Sequence, residues 1–157
     1  MEIFSNSPLW LAFFAILFAQ FVKVPIYFMV TRQWDWSLIT STGGMPSSHS
    51  AAVTALTTAV AYEHGTESTF FAIAAIFAVI VMFDATGVRF QAGQQAAIIN
   101  QLRADLHFFL EESRTWAQKK EEEKIVELKT LLGHKPSEVF IGALTGIFLS
   151  VTFYWIK

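Results

Sequence analysis

Cysteine is absent from the chain, which excludes disulfides, thiolate metal sites and thiol nucleophiles together. Charge is scarce: Asp, Glu, Lys and Arg make up 15% of the 157 residues, where a soluble domain of this size carries roughly 25%. A net charge of −2 offers no basic excess, so no nucleic-acid partner is expected. Internal repeats and low-complexity tracts are also missing. The Met1-Glu2 start lacks a basic n-region, and no small-residue cleavage site follows the first apolar run, so that run is read as a retained span.

What the chain does have is apolar length. Hydrophobic residues reach 54%, mean hydropathy is +0.44, and the apolar residues stand in blocks. A spanning helix needs about 20 mostly apolar residues. The expected fold is therefore all-α: one domain over 1–157, an integral membrane bundle of about four spans with a long amphipathic helical insertion. The spans are expected near 8–30, 47–62, 69–86 and 136–156. The second is rich in Ala, Ser and Thr, poor as a lipid-facing surface but suited to close packing among neighbours. Lys23 and Pro25 are expected to disturb the last third of the first. Between the third and fourth, 91–132 is polar, with Ile98, Leu102, Leu106, Phe109 and Leu110 at the three-and-four spacing of an amphipathic helix. The run Lys119 to Lys124 reads as a solvated face. Gly142 and Gly146 form a small-xxx-small face, open to packing within the chain or to a homodimer. Tyr154 and Trp155 suit an interfacial anchor.

Basic residues set the expected orientation. Arg32 lies in the first loop, and Arg89, Arg103, Arg114, Lys119, Lys120, Lys124, Lys129 and Lys135 lie in the third, whereas the 63–68 loop has none. With four spans the first and third loops share a side, which the positive-inside rule places in the cytoplasm of a multi-pass cell-membrane protein.

Four polar clusters then fall on that one face: Lys23 with Arg32; Gly43-Gly44-Met45-Pro46-Ser47-Ser48-His49-Ser50; Asp84-Ala85-Thr86-Gly87-Val88-Arg89; and Gly133-His134-Lys135-Pro136-Ser137-Glu138. Each has a local explanation. Lys23 can snorkel, the serines can cap a helix, Asp84 can pair with Arg89, and His134 with Glu138 can be a plain i,i+4 hydrogen bond. Intramembrane ionisable groups are nonetheless costly and point to function, the more so when they converge. The residue types suit phosphoryl chemistry. Lys23, Arg32 and Arg89 neutralise phosphate oxygens. Ser47 and Ser48 bring hydroxyls and a helix N-terminus. One imidazole can attack phosphorus beside an orienting carboxylate while another protonates the leaving alkoxide. No His-rich or HExxH spacing supports a metal.

These motifs resemble the type 2 phosphatidic acid phosphatase superfamily, which includes vanadium haloperoxidases, and more closely its small divergent membrane branch. The superfamily pattern is Lys then Arg, then Pro-Ser-Gly-His, then Ser-Arg followed by His-x-x-x-Asp. Here Pro46-Ser47-Ser48-His49 carries Ser48 for Gly, and His134-x-x-x-Glu138 carries Glu for Asp. Lys23 and Arg32 are more widely spaced than in the pattern, and Arg89 lies far upstream of His134, with the amphipathic segment between them. The strings GGMPSSHSA, DATGVR and GHKPSEV resemble the divergent branch nearly whole, except that Phe90 stands where a second basic residue is expected. The resemblance implies His134 as nucleophile, Glu138 as its orienter and His49 as general acid. It further implies Lys23, Arg32, Ser47, Ser48 and Arg89 as phosphate ligands, with no metal or other cofactor. Asp84 has no counterpart in the superfamily and is read as supporting Arg89. The implied activity is a lipid phosphate phosphatase acting at the bilayer. A cytoplasmic face favours phosphatidylglycerophosphate or phosphatidate over undecaprenyl pyrophosphate. The alternatives are a non-catalytic lipid-phosphate binder or transporter using the same cationic pocket, and a scaffold docking a partner through 91–132.

Overall fold

In the computed structural model, which describes residues 2–113 and 133–157, every regular element is helical. Five α-helices follow a short 3-10 turn: α1 (Ser7–Thr31), α2 (Ser48–His64), α3 (Thr69–Thr86), α4 (Val88–Ser113) and α5 (Pro136–Ile156), with a second 3-10 turn at Trp36–Thr40. Among the described residues, three helical stretches are long and apolar enough to cross a membrane: Ser7–Thr31, Thr69–His107 and Pro136–Ile156. The spanning bundle is thus all-helical, as its composition implied. Lipid leaves backbone groups no solvent partner, so helices are the natural form for such runs.

Local signals account for the helix ends. The Asn6 side chain accepts from Leu9 N–H at 3.0 Å to open α1, with Pro8 in its first turn. Pro25 lies inside α1 and removes one backbone donor, yet the helix runs on to Thr31. It ends at Arg32, whose left-handed backbone (φ 60°) lets its N–H bond back to Phe28 O. Ser47 and Ser68 cap α2 and α3.

The helix with the weakest apolar signal is the centre of the bundle. α2, about 25 Å long, packs against α1, α3 and α5, and buries Ser48, Ser50, Ala51, Val53, Thr54, Ala55, Ala59 and Val60. The core is alanine: Ala15 and Ala19 of α1 meet Ala51 and Ala55 of α2. Large residues such as Phe13, Phe14, Ile76, Phe77 and Phe148 face outward. This inversion follows from the solvent. Lipid tails are as apolar as Leu, so helix association depends on close approach and interhelical hydrogen bonds, not on hiding bulk. Gly142 and Gly146 of α5 lie directly on Ser47, Ala51, Thr54 and Ala55 of α2. Thr54 Oγ1 donates to Ala143 O at 3.0 Å, Ser150 Oγ to Ala55 O at 2.9 Å, and Thr57 Oγ1 to Ala74 O at 3.1 Å. The glycine face, open in sequence to a homodimer, is therefore occupied within the chain.

α1 and α3 run one way, α2 and α5 the other. At one end the α5 start meets the α3 end, with His134 N–H on Ala85 O at 3.0 Å. There the α2 start meets α5, with Ser47 N–H on Glu138 O at 3.0 Å. At the other end Tyr154 donates to Glu63 Oε1 at 2.7 Å and stacks on Tyr62 at 4.8 Å. Trp155 is 87% exposed, a position suited to an interfacial anchor.

α4 starts at Val88, earlier than the amphipathic segment expected from Gln91, because only Gly87 separates it from α3. Its Ile98, Leu102 and Leu106 are exposed. The side chains of Phe109 and Leu110, together with Arg114, the Lys119–Lys124 run and Lys129, lie outside the described residues.

Candidate functional site

The antiparallel arrangement gathers the polar clusters at one end of the bundle. His134 is 1% exposed, held at the start of α5 by its backbone bond to Ala85. Its Nδ1 lies 3.1 Å from Glu138 Oε2, and the same carboxylate oxygen accepts the Lys135 N–H at 3.2 Å. A carboxylate only accepts, so Nδ1 carries a proton, and in the neutral ring Nε2 is then the nitrogen with the lone pair. That Nε2 is buried and has no partner among the described residues. The His49 ring, in the first turn of α2, lies edge-on to the His134 ring with centroids 5.9 Å apart. The Nδ1 of His49 is likewise buried and unpartnered. Two orphaned imidazole nitrogens in one place are uncommon, since buried polar groups are nearly always bonded.

The cations come from other helices. Lys23 is 2% exposed and donates from Nζ to Ser41 O at 3.2 Å, leaving two of its three N–H bonds without a described partner. It lies close enough to Glu138 to interact electrostatically. Arg89 donates from Nε to Asp84 Oδ2 at 2.5 Å, both side chains being partly exposed. Among the described residues this bond engages Nε alone, and the terminal guanidinium nitrogens form a fork that suits an anion. Arg89, His134, Lys23 and Asp84 all act electrostatically on His49, so these groups share one site. Ser47 is fully buried and its Oγ accepts from Ser50 N–H at 3.3 Å, while Ser48 is the first residue of α2 and is also buried.

Arg89 and His134, widely separated in sequence, are joined through the backbone. Gly133 has φ +80°, and a Cβ there would run into Phe90 N and Arg89 C. A glycine is needed both for the left-handed backbone and for this close approach. The chain therefore leaves the α3–α4 junction and returns to it, and the intervening segment does not separate the two motifs. Arg32 stands apart. It follows the last residue of α1, roughly 13 Å along the axis from Lys23. Its side chain is exposed at the C-terminal end of α1.

Two contributors escape a motif-based reading. The Ser41 carbonyl, a backbone group, carries no sequence signal. Gln20 approaches the same carbonyl at 3.5 Å; the signal for it was a polar residue three positions before Lys23, on the same helical face.

These features define an all-helical, multi-span membrane protein with a buried histidine bonded to a carboxylate, and two cations, Lys23 and Arg89, at the same end of the bundle. The chain belongs to the Divergent PAP2 family, whose model matches residues 4–149. It is 60% identical over 151 residues to the uncharacterized membrane protein YuiD of Bacillus subtilis (strain 168), covering 96% of each chain. No solved structure matches it.

Proposed function

We propose that the protein is a membrane lipid phosphate phosphatase acting through a phosphohistidine at His134, with no metal or other cofactor. The observation that carries this reading is the Nε2 of His134, without a partner among the described residues, on a ring that Glu138 holds through Nδ1 and that lies 5.9 Å, centroid to centroid, from the ring of His49. Nε2 attacks phosphorus, forming the N–P bond as the P–O bond to the lipid alcohol breaks, and protonated His49 gives its proton to the departing alkoxide. Water then attacks the phosphohistidine and loses a proton to His49. The P–N bond breaks, phosphate is released, and both imidazoles return to their starting states. Glu138 stabilises the phosphoimidazolium that the first half-reaction creates and the second consumes. Lys23 and Arg89 neutralise the phosphate oxygens, and Asp84 aims the Arg89 fork. Ser47 and Ser48 add the N-terminus of α2. Arg32 meets the phosphate only as a substrate approaches from the loop side.

The substrate follows from the side of the membrane. The basic first and third loops put the site at the cytoplasmic face, which favours phosphatidylglycerophosphate or phosphatidate. The bilayer holds the acyl chains while the loop end receives the headgroup. The purified chain in mixed micelles is expected to release phosphate from at least one of these lipids. A complete lack of release from phosphatidylglycerophosphate, phosphatidate and undecaprenyl pyrophosphate sinks the phosphatase reading. Because the chain has no cysteine, single cysteines report topology cleanly. Thr66→Cys is expected to react with a membrane-impermeant maleimide on intact cells, and Thr42→Cys only after lysis. The reverse pattern overturns the cytoplasmic placement.

One observation favours a second reading. The Arg89 charge is already met by Asp84 at 2.5 Å, as suits a lipid-phosphate binder or transporter that holds its ligand without cleaving it. Saturable binding of these lipids with no turnover would select that reading.

A further inference from the structure

A third buried polar atom in this part of the bundle lacks a hydrogen-bond partner among the described residues: Oε1 of Gln20 in α1. The Gln20 amide nitrogen faces Ser41 O at 3.5 Å, the same carbonyl that Lys23 Nζ reaches at 3.2 Å. A carbonyl only accepts, so the nitrogen must face it and the oxygen is the atom left over. Gln20 lies one helical turn before Lys23 on the same face of α1, about 4.5 Å further from the loop end. It is therefore on the membrane side of the lysine, where the alcohol of a bound phosphoester extends toward its acyl chains. A buried acceptor without a donor is unfavourable, and its neighbour Ala19 brings no side-chain donor.

We infer that Gln20 selects the leaving alcohol, its Oε1 accepting a hydrogen bond from a hydroxyl on the carbon next to the phosphoester while Lys23 holds the phosphate. This rests on the phosphatase reading and narrows it to one class of substrate, a phosphorylated polyol headgroup. Phosphatidylglycerophosphate carries such a hydroxyl on its terminal glycerol. In phosphatidate the neighbouring position is esterified, and a prenyl phosphate has none. A hydroxyl matched to a buried acceptor discriminates strongly, because the analogue lacking it leaves that acceptor unpaired.

The test compares kcat/KM of the full-length chain for phosphatidylglycerophosphate and for its analogue with hydrogen in place of the 2′-hydroxyl. The unaltered protein is expected to prefer the hydroxylated lipid by roughly 10- to 100-fold. Gln20→Leu is expected to bring that ratio to about 1, and Gln20→Glu, which keeps an acceptor, to retain the preference. The first comparison needs no variant, so a folding defect in Gln20→Leu does not affect it. Equal rates for the two lipids with the unaltered chain overturn the assignment while leaving the phosphatase reading standing. So does a Gln20→Leu chain that keeps the preference, or one that loses phosphatidate turnover to the same degree, since the donor would then be the phosphate's own O–H. Failure of the unaltered chain to turn over any of the lipids removes the phosphatase reading and this assignment with it.

Discussion

Changing His134 to asparagine is expected to lower kcat for phosphate release by at least roughly 10⁴-fold, the scale on which loss of a covalent nucleophile acts. Asparagine is the informative replacement because its amide N–H can still donate to Glu138, as Nδ1 does at 3.1 Å, while the nucleophilic position is removed. The site is otherwise preserved: Ala85 O is bonded by the His134 backbone and not by its ring. Lipid binding should therefore survive, and the loss should fall on kcat. Rapid quenching of the unaltered enzyme with labelled lipid phosphate is expected to trap an acid-labile, alkali-stable phosphoryl group that the variant lacks. Phosphate release by His134→Asn at the rate of the unaltered chain would remove His134 from the mechanism, whatever the fate of the fold.

The second large effect is structural and lies in α5. Gly146→Val should destabilise the protein by about 3 kcal/mol or more, above the usual range for overpacking. The reason is what a Cβ meets there: the Ala51 carbonyl, the Thr54 hydroxyl and the Ala55 N–H, two of them backbone groups of α2. A flexible side chain can swing aside, but a helix backbone can yield only by moving as a unit. The displacement would break the Thr54 Oγ1 bond to Ala143 O and the Ser150 Oγ bond to Ala55 O. It would also open the α2–α5 contact that brings His49 to His134. Thermal or SDS-driven unfolding of purified protein measures the loss, with the neighbouring outward-facing Ile147→Val as control, expected within about 0.5 kcal/mol. A Gly146→Val chain as stable as that control would mean that α2 and α5 do not pack as described.

The sequence by itself determined the membrane class and three of the spanning helices. Hydrophobicity over about 20 residues is a local property, and lipid demands that such a run satisfy its own backbone. It also marked His49, Lys23, Asp84, His134 and Glu138, because a charge or imidazole at the end of an apolar run stands out without any knowledge of its neighbours. The role of α2 was only half legible: its Ala, Ser and Thr said that it packs closely, not that it is the hub on which α1, α3 and α5 rest. Only the tertiary structure decided that Gly133 lies on the Arg89 backbone, so that motifs far apart in sequence adjoin. It alone gave Lys23 and Gln20 a shared partner in the Ser41 carbonyl and left Arg32 outside the histidine pair. The physical reason is the same in each case. Which helix ends meet depends on close approach between small residues and on backbone groups, neither of which leaves a hydropathy or motif signal along the chain. The cluster of polar motifs was written in the sequence; its geometry was set by glycines and alanines packing elsewhere in the bundle.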